Sequence, residues 1–481
     1  MVGRIEEKKY LQELIYEEEP QFVAVFGRRR VGKTYLIRES FNHNFFFEHT
    51  GASNNDVEES MSSMKQRQLD KFRESLIEAG MDEAPMLKNW DEAFACLKQL
   101  IKESDEKKKV IFIDELSWMD TKNSGLISAL ENFWNGFATA RKEKDIVLII
   151  CASATYWMID NIVNSRGGLH NRLTGKIYLK PFTLGECEEY LHAKNIIFNR
   201  HQILQCYMIM GGVPYYWSLL KKGKSLPQNI DDIFFRDGAV LENEYDNMYS
   251  ALFNKPDLHL KIIDALSSTN KGLTREEICD RINIEGSGNL SKKLSELENC
   301  GFIRKYIPYG YKSRNCIYQI IDNFTLFYYK FIKNKTGDEK YWENHIGSSN
   351  VLAWSGIAFE RVCLQHVTQI KKALGIAGVS TEVNAWQSKK NDEKGIYGSQ
   401  IDLLIVRKDQ IINVCEMKYS ESDYKVDADY DRDMRRKMED FRRLTGTKYA
   451  LHSTLVTTYG VTNSSYAGNI QAVITAEDLF A

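Results

Sequence analysis

The 481-residue sequence predicts an α/β protein with a parallel β-sheet in its N-terminal part and a second, smaller α/β domain at its C-terminal end. The first observation is residues 21–34, where an apolar run enters a glycine loop that leads into a helical pattern. The second is residues 110–115, where four apolar residues precede two carboxylates, as in a parallel strand buried on both faces. The third is residues 399–419, where two apolar segments separated by a turn predict a β-hairpin.

Composition restricts the functions that are open to this chain. The length suggests about three domains, and the net charge of −2 gives no overall basic bias, so any nucleic-acid surface must be local. Nine cysteines without a CxxC pair predict reduced thiols in a cytoplasmic protein. The N-terminus lacks the apolar core of a signal peptide, and the longest apolar run is too short to span a bilayer, so no membrane partner is expected.

The glycine loop has the G-x-x-x-x-G-K-T spacing of a P-loop. Its backbone N–H groups would surround phosphates, and the helix that follows would add a positive dipole. Lys33 would reach the β- and γ-phosphates, and Thr34 would hold Mg²⁺. The alternative, an ordinary strand-to-helix turn, explains the spacing less well, although the three arginines could instead meet a neighbouring domain. The predicted nucleotide-binding residues of this segment are Gly27, Arg28, Arg29, Arg30, Val31, Gly32, Lys33, Thr34 and Tyr35.

Two carboxylates follow the buried strand at 110–113. Ligands bind at the carboxyl ends of parallel strands. Asp114 is therefore predicted to bind Mg²⁺ through water, and Glu115 is predicted to polarise the attacking water as a catalytic residue. The alternative is a strand that merely ends in acidic residues, and the P-loop upstream favours the functional interpretation.

These motifs together resemble the archaeal-type ATPase family, a branch of P-loop ATPases near the AAA and signal-transduction (STAND) groups. The resemblance implies ATP as the nucleotide, which agrees with the absence of an Asn-Lys-x-Asp guanine-reading motif. It also implies an ATPase core over residues 1–182 and a helical lid over residues 183–250. The segments that carry it are Gly27–Thr34, Asp114-Glu115, Ser153-Ala154, Leu179–Phe182 and Gly211–Tyr216.

The resemblance suggests two further nucleotide-site residues. Ser153 follows a buried strand where AAA-type enzymes keep a polar residue near the γ-phosphate, although a helix N-cap explains it nearly as well. Arg166 or Arg172 would sense phosphate in its own site or in a neighbour's, which leaves a homo-oligomer open. Either arginine could equally be a surface charge.

Residues 251–335 predict a winged helix-turn-helix. Three helical segments precede two strands that flank a Tyr-Gly-Tyr turn, and the third helix of such a module usually reads the major groove. The alternative is a connector or dimer contact, because the third helix also carries Glu296 and Glu298. The candidate DNA phosphate contacts are Ser291, Lys292, Lys293, Lys312 and Arg314.

Residues 336–481 hold a second candidate centre. Asp402 lies on one strand of the predicted hairpin, and Glu416 and Lys418 lie on the other, two residues apart and therefore on one face. Asp402 and Glu416 offer hard oxygen ligands for Mg²⁺, and Lys418 would orient the water or neutralise charge. Glu360, from a preceding helix, would complete the site. The set resembles a PD-(D/E)XK nuclease, a restriction-endonuclease-like fold, whereas a charged edge hairpin is the alternative.

Together these observations lead to two hypotheses. The first is an ATP-hydrolysing switch that is coupled to a Mg²⁺-dependent nuclease domain acting on nucleic acid, with DNA as the expected partner. The second is a nucleotide-dependent DNA-binding or scaffold protein whose nuclease fold is inert.

Overall fold

The computed structural model describes residues 2–53, 61–165, 167–253, 255–285, 288–335, 337–388 and 398–481. The chain divides into two compact units, of which the first comprises Met1–Pro181 with Met248–Asn254 and the second Phe182–Asn247 with Lys255–Ala481. Arg166, one of the two candidate sensing arginines, lies outside the described residues. The division into an ATPase core, a lid, a winged helix and a nuclease-like domain remains a prediction.

The first unit contains the parallel sheet that the sequence predicts. Its five strands follow the order β2-β3-β4-β1-β5, and all neighbours are parallel. The strands are β1 (Gln21–Phe26), β2 (Phe47–Thr50), β3 (Lys109–Asp114), β4 (Ile146–Ala152) and β5 (Gly175–Tyr178). The helices are α1 (Ile5–Glu13), α2 (Lys33–Ser40), α3 (Met61–Glu78), α4 (Trp90–Glu103), α5 (Leu116–Met119), α6 (Leu126–Phe133) and α7 (Thr155–Met158).

Strand β1 shows why the sheet appears in the sequence as unbroken apolar runs. Phe22 and Ala24 pack into one hydrophobic core, whereas Val23 and Val25 pack into another. Both faces of the strand are therefore covered from Phe22 to Phe26, and every one of these positions is apolar. Since the neighbours are parallel, with Phe26 beside Ala152, the loops after β1, β3 and β4 emerge at the same edge of the sheet.

The second unit begins with a helix-rich segment. Capping boxes at Thr183, Asn199 and Ser225 start three of its helices. The predicted interruption at residues 211–214 separates two helices, and Gly211 there has a φ of 61°. The helices are α8 (Leu184–Ala193), α9 (Arg200–Met210), α10 (Pro214–Ser218), α11 (Leu226–Ile230) and α12 (Glu244–Leu252), the last of which is shared between the two units.

Three further helices and a small antiparallel sheet follow. Thr274 and Glu277 form a capping box at the start of the second helix. The predicted strand pair is present, and a 3-10 turn at Ser313–Asn315 precedes its second strand, which begins at Ile317. The elements are α13 (Asp257–Ser267), α14 (Arg275–Ile282), α15 (Gly288–Asn299), β6 (Leu273–Thr274), β7 (Ile303–Tyr306) and β8 (Ile317–Ile320), in the sheet order β6-β8-β7.

The C-terminal part is built on a mixed sheet with the order β13-β12-β11-β10-β9. Its first three strands in the chain are antiparallel, which confirms the predicted hairpin, and its last two join in parallel. The strands are β9 (Thr381–Gln387), β10 (Gln400–Arg407), β11 (Ile411–Lys418), β12 (Ala450–Thr457) and β13 (Ala472–Thr475). The helices are α16 (Asn323–Phe327), α17 (Tyr341–His345), α18 (Ser349–Gln365), α19 (Val367–Ala373) and α20 (Ala428–Thr445).

All nine cysteines are free thiols, and eight of them are buried. Within the described ranges, no helix has both the length and the apolar character that crossing a membrane requires.

Candidate nucleotide site and candidate metal centre

The glycine loop begins where β1 ends. Gly27 has a φ of 151°, and a Cβ at this position would collide with the backbone carbonyl oxygen of Leu179. Only glycine satisfies both constraints, so the first glycine of the motif is required by the close approach of the segment that follows β5.

The second glycine of the motif starts helix α2. Gly32 is the N-cap residue, with a φ of 89°, and no side chain among the described residues caps the helix. The first amide groups of an uncapped helix N-terminus lack intrahelical partners and favour an anion. This feature fits the phosphate-binding role that the motif predicts.

Lys33 is buried within the loop that precedes it. Its Nζ donates to the carbonyl oxygens of Gly27 and Arg28, both at 3.0 Å, and lies 3.2 Å from the Ser153 Oγ. The lysine therefore holds the loop in a closed curve while its ammonium group stays at the edge of the sheet where β1 and β4 end.

Thr34 and Asp114 form the pair that would hold Mg²⁺. The Thr34 hydroxyl donates to Asp114 Oδ2 at 2.7 Å, although the two residues lie 80 positions apart. The other oxygen of Asp114 accepts the backbone N–H of Glu115 at 2.9 Å. A hydroxyl and a carboxylate oxygen are hard donors of the kind that Mg²⁺ prefers, so the residues present fit the ion.

Glu115 is held by Ser153. It adopts a left-handed backbone conformation with a φ of 49°, which turns the chain sharply after β3. Its carboxylate accepts the backbone N–H of Ser153 at 3.1 Å and also the Ser153 hydroxyl. Ser153 thus touches both the lysine and the second carboxylate of the predicted site. It does not cap helix α7, whose N-cap residue is Ala154.

The remaining predicted nucleotide residues are more dispersed. Arg28 is buried, and its Nη2 lies 3.4 Å from the sulfur of Met248 in the same unit. Arg172 is exposed and makes no side-chain hydrogen bond or ion pair with any residue that the structure describes, so it stands outside the network of Lys33, Ser153 and Glu115. Of the other loop residues, Arg29 and Arg30 are half-buried, Val31 is buried and Tyr35 is exposed.

The sheet, the loop and the Thr34–Asp114 pair define a P-loop NTPase-type domain. Residues 1–220 match the family model described as an ATPase domain predominantly from Archaea. Over residues 1–220 the chain is therefore similar to an archaeal-type ATPase domain, the resemblance that the motifs predicted.

Similarity to individual proteins is more distant. An uncharacterized protein of Methanocaldococcus jannaschii is 24% identical over 409 residues, which cover 84% of this chain and 83% of that protein. A Walker-type ATPase of Pyrococcus abyssi is 16% identical, with a TM-score of 0.47 over 68% of this chain and 95% of that chain. The ORC2 protein of Aeropyrum pernix, solved in ADPNP–ADP complexes, is 13% identical, with a TM-score of 0.40 over 72% of this chain and 96% of that chain.

The C-terminal candidate centre lies on neighbouring antiparallel strands. Leu403 pairs with Cys415, so the next positions along this ladder, Asp402 and Glu416, lie opposite each other on one face. The pairing of β10 with β9 shifts register between Ile401 and Leu404, so Asp402 lies within an irregular part of this pairing. Irregularities of this kind change the direction of side chains and are common next to functional sites. The Gln400 amide donates to the Asp402 carboxylate.

Glu416 is paired with two lysines. Lys418, two residues along the same strand, lies 3.6 Å away, which is consistent with the predicted shared face. Lys437 of α20 donates to Glu416 Oε1 at 2.6 Å. Lys437 could not be assigned to this site from the sequence, because a separation of 21 residues across a loop carries no local signal.

Glu360 reaches the same region from α18. Burial raises the pKa of Glu360 to about 7, with Asp402 raising it further and Arg361 and Lys418 opposing. The donor chemistry of these carboxylates suits Mg²⁺. However, among the residues that the structure describes, no three His, Cys, Asp or Glu side chains converge closely enough to hold a metal ion.

Some of the candidate DNA contacts are exposed, and others already form an ion pair or a hydrogen bond within the protein. Lys292, Lys312 and Arg314 are exposed. Lys293 instead forms an ion pair of 3.0 Å with buried Glu296, a carboxylate that also bonds His259, so its charge is largely neutralised locally. The hydroxyl of Ser291 accepts Arg275 Nε at 3.1 Å.

The charged helix α20 is mostly paired with itself. Four of its arginines form ion pairs with aspartates three or four positions away. This pattern is typical of a solvated helix face and leaves Lys437 as the member that reaches the candidate centre.

Proposed function

We propose that this protein is a switch that binds and hydrolyses ATP and controls a nuclease-like domain that acts on DNA. The 2.7 Å hydrogen bond between Thr34 and Asp114 carries the first half of the proposal, because it joins the loop to the carboxyl end of β3. The uncapped N-terminus of α2 and the buried Lys33 support the same assignment.

Each residue of the nucleotide site has a defined task in this proposal. Lys33 neutralises charge on the β- and γ-phosphates, and Thr34 and Asp114 hold Mg²⁺, which when bound neutralises the phosphate oxygens. Glu115 accepts a proton from the attacking water. Ser153 contacts both Lys33 and Glu115 and is therefore suited to sense the γ-phosphate.

The C-terminal half of the proposal is a Mg²⁺-dependent nuclease-like centre. Asp402 and Glu416 would hold the ion, Glu360 would complete the site, and Lys418 would orient the attacking water. The opposed positions of Asp402 and Glu416 and the proximity of Lys418 support this assignment. The three helices α13–α15 and the sheet β6–β8 would act as a winged helix that positions DNA through Lys292, Lys312 and Arg314.

A second candidate function is a nucleotide-dependent DNA-binding or scaffold protein with an inert nuclease fold. Two observations favour it: no three His, Cys, Asp or Glu side chains among the described residues converge closely enough to hold a metal ion, and Glu416 is ion-paired with Lys437 and Lys418. A carboxylate that is neutralised in this way is a poorer metal ligand than a free one.

Two assays on the full-length protein test the proposal. ATP hydrolysis with Mg²⁺ should be lost in Lys33→Ala and Asp114→Asn. Cleavage of DNA should be lost in Asp402→Asn and Lys418→Ala, whereas Arg435→Ala on α20 should leave it intact. Nucleotide-dependent DNA binding without cleavage in the unmodified protein would favour the inert fold instead, and wild-type ATP hydrolysis in Asp114→Asn would refute the nucleotide site.

A further inference from the structure

Two arginines flank the Asp402 and Glu360 carboxylates. Arg361 follows Glu360 on α18 and is 1% exposed. Its Nη2 donates to the backbone carbonyl of Asn270 at 2.7 Å, and its Nη1 lies 3.7 Å from a carboxylate oxygen of Glu360. Within the described part of the chain, Nε and Nη1 of Arg361 are buried and have no hydrogen-bond acceptor.

Arg304 approaches from a different element, strand β7. Its Nε donates to the Gln319 side chain at 2.7 Å, and its guanidinium lies 4.4 Å from the centre of the Tyr306 ring. Its Nη2 is buried, and none of the described residues accepts a hydrogen bond from it. The Tyr306 ring and Gln319 thus fix one edge of the guanidinium while the other edge keeps an unused donor.

One carbonyl group connects the two arginines. The Gln319 amide and Arg361 Nη2 both donate to the backbone oxygen of Asn270. The chain of contacts from Arg304 through Gln319 and Asn270 to Arg361 sets the spacing of the two guanidinium groups. Both therefore have positions that do not depend on a flexible side chain at the surface.

The charges of both arginines interact with the carboxylate centre. Burial lowers the pKa of Arg304 to about 10, and the nearby charge of Arg361 lowers it further, whereas Tyr306, Asp402 and Glu360 oppose the shift. Arg304 therefore remains charged at neutral pH. Two positive groups are held near each other at this point even though they repel.

Buried N–H donors without acceptors are unfavourable, and a fixed pair of guanidinium groups with spare donors matches the oxygen atoms of a phosphate. We propose that Arg304 and Arg361 together bind a backbone phosphodiester of nucleic acid next to the Asp402–Glu360 carboxylates. This inference rests on the proposed nucleic-acid substrate, and it adds a phosphate site to which the small β6–β8 sheet contributes directly.

The competing explanation is that the arginines only neutralise the carboxylates. The two explanations predict different effects on nucleic-acid binding. If the arginines bind phosphate, removing one weakens nucleic-acid binding and lowers its salt dependence. If they are only counter-ions, removing one leaves binding unchanged.

The experiment measures binding of the full-length protein to a fluorescein-labelled DNA duplex and to a labelled single-stranded RNA, with Ca²⁺ replacing Mg²⁺ to limit turnover. Arg304→Gln should weaken binding about tenfold, in line with a lost charge-assisted hydrogen bond. The slope of the logarithm of the binding constant against the logarithm of the salt concentration should become less steep, by the amount that corresponds to about one phosphate contact. Lys305→Gln is the matched control, because Lys305 is the exposed neighbour of Arg304 on β7 and points to the other face.

Arg361→Lys tests the second arginine while keeping its charge. Its thermal unfolding is measured first, and Arg304→Lys serves as the parallel variant if burial makes Arg361 intolerant of change. Weaker binding of either nucleic acid in the arginine variants, but not in Lys305→Gln, supports the phosphate site. Comparison of the DNA duplex with the single-stranded RNA shows which nucleic acid the site prefers. Unchanged binding and salt slope in Arg304→Gln, or an equal loss in Lys305→Gln, would overturn it.

These outcomes separate this inference from the proposed function. If the unmodified protein does not cut nucleic acid but Arg304→Gln binds it less tightly, the phosphate site stands and the nuclease assignment fails. If the unmodified protein cuts DNA and Arg304→Gln binds it normally, the nuclease assignment stands and the phosphate site fails.

Discussion

The Ser153 hydroxyl lies 3.2 Å from the Lys33 ammonium and donates to the carboxylate of Glu115. One side chain at the end of β4 therefore links the phosphate-binding lysine of the loop after β1 to the carboxylate after β3. A shift of Lys33 toward a phosphate would change the bonds that hold Glu115. This link gives the site a direct route from nucleotide contact to the residue proposed to act on water.

Ser153→Ala removes this link. We expect ATP to bind with little change, because Lys33 retains its two carbonyl partners. The turnover number should fall on the order of tenfold, because Glu115 loses one of the two hydrogen bonds that orient it and keeps only the bond from the Ser153 backbone N–H. Steady-state hydrolysis and nucleotide titration separate the two effects. Ser124→Ala, which alters a buried serine of the same unit that bonds Asp120, is the control. An unchanged turnover number in Ser153→Ala would show that the link has no role.

Thr34→Ala removes the hydroxyl that donates to Asp114. The Mg²⁺ concentration that supports half-maximal hydrolysis should rise on the order of tenfold, because the ion loses a proposed ligand. Thr34→Ser keeps the hydroxyl and should stay close to the original protein. Equal Mg²⁺ dependence in both variants would mean that the hydroxyl does not contact the ion.

Gly27→Ala tests the packing of the loop. The added Cβ collides with the Leu179 carbonyl and must also adopt a φ near 151°, so the free energy of unfolding should fall by about 2 kcal/mol or more. Chemical denaturation measures the change. The control is Gly136→Ala, where an added Cβ meets no atom and φ is not positive. Comparable stability of the two variants would contradict this account.

Lys437→Ala frees Glu416 from its closer lysine partner. Calorimetric titration of Mg²⁺ without nucleotide should show binding tighter by about fivefold, because the ion no longer competes with a partly buried ammonium group. Arg435→Ala removes a neighbouring cation that pairs with Asp431 and should leave the affinity unchanged. The same affinity in both variants would show that Lys437 does not limit metal binding.

His366 should make the protein less stable in acid. Its Nε2 accepts the backbone N–H of Leu184 at 3.0 Å and its Nδ1 donates to the carbonyl of Val362, an arrangement that requires the neutral ring. Burial lowers the pKa of His366 to about 4, against an ordinary value of 6.5. The unfolded state therefore binds more protons between these values, so stability is present above pH 6.5 and is lost as the pH falls toward 4.

The size of the effect can be measured by denaturation at several pH values. From about pH 8 to about pH 5, this histidine should cost roughly 2 kcal/mol of unfolding free energy. His366→Asn should remove most of that pH dependence, whereas His192→Gln, at an exposed position, should retain it. Equal pH profiles in all three proteins would show that His366 does not control acid stability.

The sequence was most informative where structure depends on nearby residues. The strand, glycine loop and helix around residues 21–34 could be predicted because apolar periodicity and glycine spacing are local properties. The capping box at Thr274 and the β10–β11 hairpin were predictable for the same reason.

Contacts between distant segments were not predictable in the same way. The motifs placed Lys33, Glu115 and Ser153 in one site, but nothing in them indicated that Ser153 bonds the other two. Nothing in the sequence distinguishes Arg304 from an ordinary charged residue on a strand. Its connection to Arg361 through Gln319 and Asn270 depends on tertiary contacts.

The amino-acid pattern alone thus identified the P-loop, the paired carboxylates after β3 and the Asp402, Glu416 and Lys418 set, because each is a short arrangement on one or two adjacent elements. Folding settled which groups interact with them: Lys437 forms an ion pair with Glu416, Ser153 donates hydrogen bonds to Glu115, and the charge of Arg304 interacts with Asp402. The physical reason is that the local sequence determines the helix or strand and therefore the face on which a side chain lies, whereas the packing of distant elements determines which group that side chain contacts.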